Sequence, residues 1–326
     1  MALGAPAPCQ IVLAQLRHAD HPLNLGALAP RLGDRWPWRS ATGLLPWRPA
    51  SRREPTWGQR NMKHGRILLE TIGNVAVMTL NDPGVLNAFG QKLRDDMTTA
   101  MDRVERDPPR CLLITGAGRA FCSGANLNDP DQPARDRTAE ASGELKSSLE
   151  SWYNPMFLRL RALSIPVVTA INGIAAGAGM SLALSGDIRI AARSASFLQA
   201  FARIGLVPDC GSSWLLPRLI GMARAMELSL LADRLPAETA LAWGLINRLE
   251  DDADLMPKAM QLAHGLAAGP KSLGMIRRMY WESMDNSYDS QLDLEAKLQS
   301  RAGMTSDYNE GVAAFREKRQ AKFSGQ

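Results

Sequence analysis

An α/β fold that ends in an α-helical region is predicted for this chain by three observations. Residues 166–171, Pro-Val-Val-Thr-Ala-Ile, form an apolar, β-branched run suited to a buried strand. They lead into 173–186, Gly-Ile-Ala-Ala-Gly-Ala-Gly-Met-Ser-Leu-Ala-Leu-Ser-Gly, which reads as a Gly-rich turn entering a helix. Residues 111–114, Cys-Leu-Leu-Ile, lead in the same way into 115–127, Thr-Gly-Ala-Gly-Arg-Ala-Phe-Cys-Ser-Gly-Ala-Asn-Leu. Beyond Trp214 the apolar spacing becomes almost wholly helical.

Residues 1–61 hold eight of the 20 Pro and four of the eight Trp without a sustained period, so no domain is expected there. Arg52-Arg53 lacks the apolar stretch of a twin-arginine signal, and the opening residues lack the charged start of a secretory signal. Arg-rich, acid-poor composition suits an organellar transit peptide, but the Pro content breaks the amphipathic helix one needs. The expectation is a disordered extension arising from an assigned start upstream of Met62, then a core at 62–255 and a helical region at 256–326. The intact mass of protein made from its own upstream sequence tests the start.

Within the core, Ile67-Leu68-Leu69-Glu70-Thr71 and Val75-Ala76-Val77-Met78-Thr79-Leu80 flank Gly73-Asn74 and predict a β-hairpin. Leu93, Met97, Met101 and Val104 share one face of a helix over 91–107. A strand at 110–115 delivers the first Gly-rich stretch, and a polar, Pro-bearing loop at 129–143 is expected to be mobile near the pocket. Leu149, Trp152, Phe157, Leu160 and Leu163 mark a long helix leading to a strand at 166–172, and another short strand is expected at 187–192. Later helices are predicted over 222–231, 236–243, 255–266, 271–281, 291–301 and 307–319.

A composition of 45% hydrophobic and 22% charged residues is ordinary for a soluble globular protein. The longest nearly apolar run, 173–184, is too short to span a bilayer, so no membrane segment and a cytoplasmic location are expected. The net charge of +5 resides in 1–61, which hold eight Arg, no Lys and three acids; the rest of the chain carries 30 basic and 30 acidic side chains. The helix at 91–107 mixes Lys92, Arg94, Arg103 and Arg106 with Asp95, Asp96, Asp102, Glu105 and Asp107. Nucleic acid is therefore not an expected partner. Cys9, Cys111, Cys122 and Cys210 have no paired metal-ligand spacing and read as free thiols serving as small buried residues. None of His18, His21, His64 and His264 accompanies the Gly-rich stretches, which argues against a His-based nucleophile or a metal site.

Small residues ahead of a helix serve either close packing or a ligand. The first N–H groups of a helix lack intrahelical partners and that end is partly positive, so developing negative charge is stabilised there. Two such loops hold two N–H donors on one oxygen, as an enolate or thioester oxyanion requires. Asp209, in Val207-Pro208-Asp209-Cys210-Gly211, is the carboxylate of interest. By pattern alone it reads first as a helix N-cap before Gly-Ser-Ser-Trp-Leu-Leu, and a carboxylate tied to backbone N–H groups is a poorer base.

From about residue 64 onward the chain resembles the crotonase (enoyl-CoA hydratase/isomerase) superfamily. The residues carrying this are Asn81-Asp82-Pro83 with Asn87-Ala88, the loops at 119–127 and 172–179, Ser185-Gly186-Asp187-Ile188-Arg189 and the tail at 310–319. The resemblance implies a spiral of ββα units. It also implies oxyanion donation by the Ala125 and Ala178 N–H groups, and C-terminal helices that cover an acyl pocket and build a homotrimer or a dimer of trimers. Acyl-CoA is then the substrate, with coenzyme A part of it and no separate cofactor. Arg119 and the adjoining Ala120 take positions that contact coenzyme A, and Lys318 takes one that reaches its phosphates. Solvated surface charge is the competing reading for Arg119 and Lys318. Asn126 stands where many relatives have Asp and has no assigned role.

Hydratases of this superfamily carry two glutamates at positions that are Ser181 and Phe201 here. Adding water needs one group to orient it and another to move a proton, so efficient hydration is not expected. Family isomerases place an acid where Asp209 stands, and 201–218 is most similar to the ring-epoxide isomerases of bacterial phenylacetate degradation. The resemblance thus implies an acyl-CoA isomerase in which Asp209 shuttles a proton. An enoyl-CoA hydratase and a non-catalytic acyl-CoA or RNA-binding scaffold are the alternatives.

Overall fold

The computed structural model describes residues 61–131, 138 and 147–326, all within a compact unit spanning Glu54–Gln326. The expected extension, Asn61 apart, and most of the loop at 129–143 lie outside the described residues, as does Cys9.

Strands β1 (Ile67–Ile72) and β2 (Val75–Leu80) form the predicted antiparallel hairpin, with Ile72 opposite Val75 across Gly73-Asn74. Helix α1 (Gln91–Arg106) buries the four expected apolar side chains and, in addition, Arg94. Strand β3 (Cys111–Gly116) is followed by β4 (Ala120–Cys122). The predicted long helix is a π-helical turn, Leu149–Tyr153, running into α2 (Asn154–Ala162). Then come β5 (Val167–Ile171), β6 (Ile174–Ala176), α3 (Ala178–Leu184), β7 (Ile188–Ala192) and β8 (Ser196–Leu198).

β3, β5 and β7 lie side by side and parallel in a six-stranded sheet, while β4, β6 and β8 lie side by side and parallel in a four-stranded one. Each long strand is thus followed by a short strand in the other sheet, and the chain advances one place in both sheets per repeat. That repeated step is the spiral. The three short strands were not anticipated from sequence, because three residues are too few to show a period of two.

The rest is α4 (Ser212–Ile220), α5 (Met222–Leu231), β9 (Arg234–Pro236), α6 (Ala237–Trp243), β10 (Arg248–Glu250), α7 (Leu255–Ala267), α8 (Ser272–Ser283), α9 (Tyr288–Gly303) and α10 (Ser306–Glu317). Two strands therefore interrupt a region predicted as almost wholly helical: β9 pairs antiparallel with β8, and β10 extends the large sheet beside β7. Helix α7 seals that sheet, burying Leu255, Ala259, Ala263 and Ala267. Helix α8 is anchored through Arg277, 3% exposed at its side chain. Its guanidinium bonds Asp187 at 2.7 Å and donates to the carbonyls of Leu160, Arg161 and Leu163. Among the described residues no helix is long and apolar enough to cross a membrane.

Candidate active site

The two Gly-rich stretches meet. A β-carbon built on Gly124 (φ 98°) would stand 2.9 Å from the Ala176 carbonyl oxygen and 3.6 Å from Ala178 N, and one on Gly179 would strike the Cys122 carbonyl. Glycine is required at both contacts because the two backbones touch. Gly177 (φ 51°) is the N-cap of α3, so Ala178 is its first residue and its N–H has no helical acceptor. Among the described residues neither the Ala125 nor the Ala178 N–H donates to a protein acceptor.

Two asparagines shape the loop before Ala125. The fully buried Asn87 donates to the carbonyls of Ala117, Ala120 and Phe121 and accepts from Asp82 N–H at 2.8 Å. Asn172 accepts from Gly116 N–H and donates to Gly118 and Ala120.

Asp209 follows β8 and a 3-10 turn, Ala200–Ile204. Its side chain does not cap α4: the N-cap is Gly211, with no side-chain cap bond, and Asp209 Oδ1 is buried without a hydrogen-bond partner. The Asp209 main-chain carbonyl instead accepts from Ser212 N–H (3.0 Å), Ser212 Oγ (2.9 Å) and Ser181 Oγ (3.2 Å). The N-cap reading is thereby corrected, since the bond that starts the helix belongs to the backbone. Burial raises the carboxyl pKa above the ordinary aspartate value, and the Cys210 thiol beside it offsets this only in part. Such a group is a stronger base than a capping carboxylate.

Phe89 forms a bridge with Ala125 and receives Asn126 N–H on its carbonyl. Its ring packs 5.6 Å from Trp152 and 5.7 Å from Tyr153, making an aromatic wall behind the first donor. Arg94 lies against the rings of Trp152 and Tyr153. A largely apolar cavity of about 320 Å³ opens beside Cys210 and Gly211, lined also by Phe157, Leu158, Trp214 and Trp281, with Arg161 at its wall. Burial pushes the thiols of Cys111 and Cys122 up to about 12, and that of Cys210 up further, so these buried free cysteines stay protonated.

Gly124, next to Ala125, lies against Ala178, and Ser181, three residues beyond Ala178, donates to the Asp209 main-chain carbonyl. The Phe201 ring lies 3.8 Å from a β-carbon built on Gly177. Arg119 is exposed on the turn into β4, whereas Ala120 is buried with its carbonyl held by Asn87 and Asn172. Lys318 is exposed at the C-cap of α10. Asn126 accepts from Asn128 N–H. Among the described residues no group of three His, Cys, Asp or Glu is arranged to hold a metal ion. Sequence reading did not reveal the contacts of Asn87, Ser181 and Tyr153; for Asn87 the signal was its residue type, which tolerates the left-handed backbone found there (φ 56°).

Residues 70–326 match the family model described as enoyl-CoA hydratase/isomerase. The chain is 48% identical to the 1,2-epoxyphenylacetyl-CoA isomerase of Escherichia coli (strain K12), over 79% of this chain and 98% of that protein. It is 41% identical to a Rhodobacter capsulatus protein described as "Probable enoyl-CoA hydratase", over 81% of this chain and all of the other. Among solved structures it resembles the enoyl-CoA hydratase of Bacillus anthracis with a TM-score of 0.73 and 29% identity, covering 80% of this chain and 100% of that one.

Proposed function

The chain belongs to the enoyl-CoA hydratase/isomerase family, and from that premise we propose that it is an acyl-CoA isomerase that moves a double bond by proton transfer. The observation that carries this reading is Asp209: a partly buried carboxylate with a raised pKa and an unpartnered oxygen, close to the helix that presents the Ala178 N–H. The N–H groups of Ala125 and Ala178 bind the thioester oxygen and stabilise the enolate that forms when a C–H bond breaks. Asp209 takes that proton and returns it to another carbon, so no atoms are gained or lost. With Ser181 and Phe201 in the remaining positions, no second carboxylate orients water.

The preferred substrate is the ring epoxide of phenylacetyl-CoA, isomerised to its seven-membered oxepin. The printed activity of the E. coli relative supports this, as does an apolar, Trp-lined cavity beside Cys210 that suits a ring. Coenzyme A enters as part of the substrate, with Arg119 and Ala120 near its path and Lys318 reaching its phosphates. Self-association as a trimer or dimer of trimers is supported by exposed apolar side chains on the C-terminal helices, including Tyr280, Tyr288, Met304 and Phe315.

The test is product analysis by liquid chromatography and mass spectrometry of 3-enoyl-CoA, 2-enoyl-CoA and the ring epoxide, each with wild type and Asp209→Asn. Isomerisation without mass gain, lost in the variant, is the expected outcome. A gain of 18 mass units (one water, about the mass of H2O) that survives the substitution would instead establish a hydratase.

A further inference from the structure

We infer that Ser181 is a positioning residue that holds the Asp209 base in register with the Ala178 oxyanion donor. The inference rests on the proposed role of Asp209. Ser181 is fully buried on α3, and its Oγ lies 3.2 Å from the Asp209 carbonyl oxygen. Its other acceptor, the Gly177 carbonyl, is farther at 3.4 Å and already receives the Ser181 N–H. The hydroxyl proton therefore has its shorter path across to the base loop, and the helix that presents one oxyanion donor is bonded to the turn that presents the base.

This bond matters because the carboxylate's own partner, the Cys210 thiol, lies on the same turn, while Asp209 Oδ1 has no hydrogen-bond partner. The place of the side chain relative to α3 therefore follows from its main chain. That main chain is held in an unfavourable shape: Cys210 (φ 52°) and Gly211 (φ 81°) are both left-handed, and Cys210 pays a steric cost that glycine does not. Ser212 and Ser181 bind the carbonyl just before these two residues. Ser212 belongs to the same turn and moves with it. Ser181 alone of the two comes from the oxyanion helix, so it sets the distance between base and enolate oxygen.

The experiment compares Ser181→Ala and Ser181→Thr with wild type on 3-enoyl-CoA, recording kcat, KM and the pH profile of kcat/KM. Ser181→Ala is expected to lower kcat about tenfold with little change in KM. Its acid limb should also move down toward the ordinary aspartate value as the carboxylate gains freedom to reach water. Ser181→Thr, which keeps the hydroxyl, restores kcat. Unchanged kcat and acid limb in Ser181→Ala would overturn the inference, as would a threonine variant as slow as the alanine one. Should Ser181→Ala fail to fold, Ser181→Cys replaces it as a near-isostere with a poor donor. Asp209→Asn run in parallel separates the two claims. An active Asn variant overturns the base assignment and this inference with it, whereas an inactive Asn variant beside a fully active Ser181→Ala overturns only the positioning role.

Discussion

The role proposed for Asp209 rests on a fold that makes its ionisation costly. Its pKa is raised by burial, so the protonated form persists above the ordinary aspartate range. The acid limb of kcat/KM for isomerisation is therefore expected above that range, and a limb at the ordinary value would remove Asp209 from the role. The same shift is a stability statement. An acid with a raised folded pKa costs nothing below its unfolded value, and the cost is complete once pH exceeds the folded value. Asp209→Asn should accordingly raise the melting temperature at neutral pH, a gain that shrinks to nothing as pH falls below the ordinary aspartate range. Asn87 is the opposite case, buried with every polar atom satisfied. Asn87→Ala strands carbonyls in the core and sets a β-carbon residue other than Asn at φ 56°, so a loss of about 2–3 kcal/mol is expected in urea unfolding. Of the candidate site, Ala125, Ala178 and Asp209 were proposed from the sequence through the resemblance that its motifs carry. Whether the Asp209 carboxylate capped α4 was not legible there, because the choice between a side-chain and a main-chain acceptor leaves no trace in composition.

At the scale of elements, the site depends on glycines that let backbones touch. Gly179 sits on the Cys122 carbonyl, so α3 and β4 are in direct contact. Gly179→Ala must push them apart and displace the Ala178 donor from the Ala125 donor. A loss of about 100-fold in kcat is expected, with far-ultraviolet circular dichroism unchanged. Wild-type kcat in that variant would show that the pair does not act on one oxygen. The hairpin, α1 and the long strands were legible because apolar periods run over enough residues to be seen. The π-helical turn before α2, which sets Tyr153 and Trp152 against Phe89, carries no sequence signal beyond a helical one.

For the molecule as a whole, the Arg277–Asp187 pair ties α8 to α2 and the head of β5. Asp187 also accepts from Val167 N–H and the Trp281 indole N–H. Removing Arg277 leaves Asp187 with these two neutral donors and strands the carbonyls of Leu160, Arg161 and Leu163, so Arg277→Met is expected to cost about 2–3 kcal/mol, read from the urea midpoint. A shift under about 1 kcal/mol would mean that α8 is held by apolar packing alone. The sequence by itself determined the α/β class and most long elements, because each depends on residue type and spacing along one segment. Tertiary structure alone decided the short strands β4, β6 and β8, which exist because neighbours two segments away complete their ladders. It also decided β9 and β10 amid helices, where pairing outweighs local propensity. Above all it decided the surroundings of Asp209, whose carboxyl pKa is raised by burial and whose main-chain carbonyl is bonded by a serine 28 positions earlier in the chain.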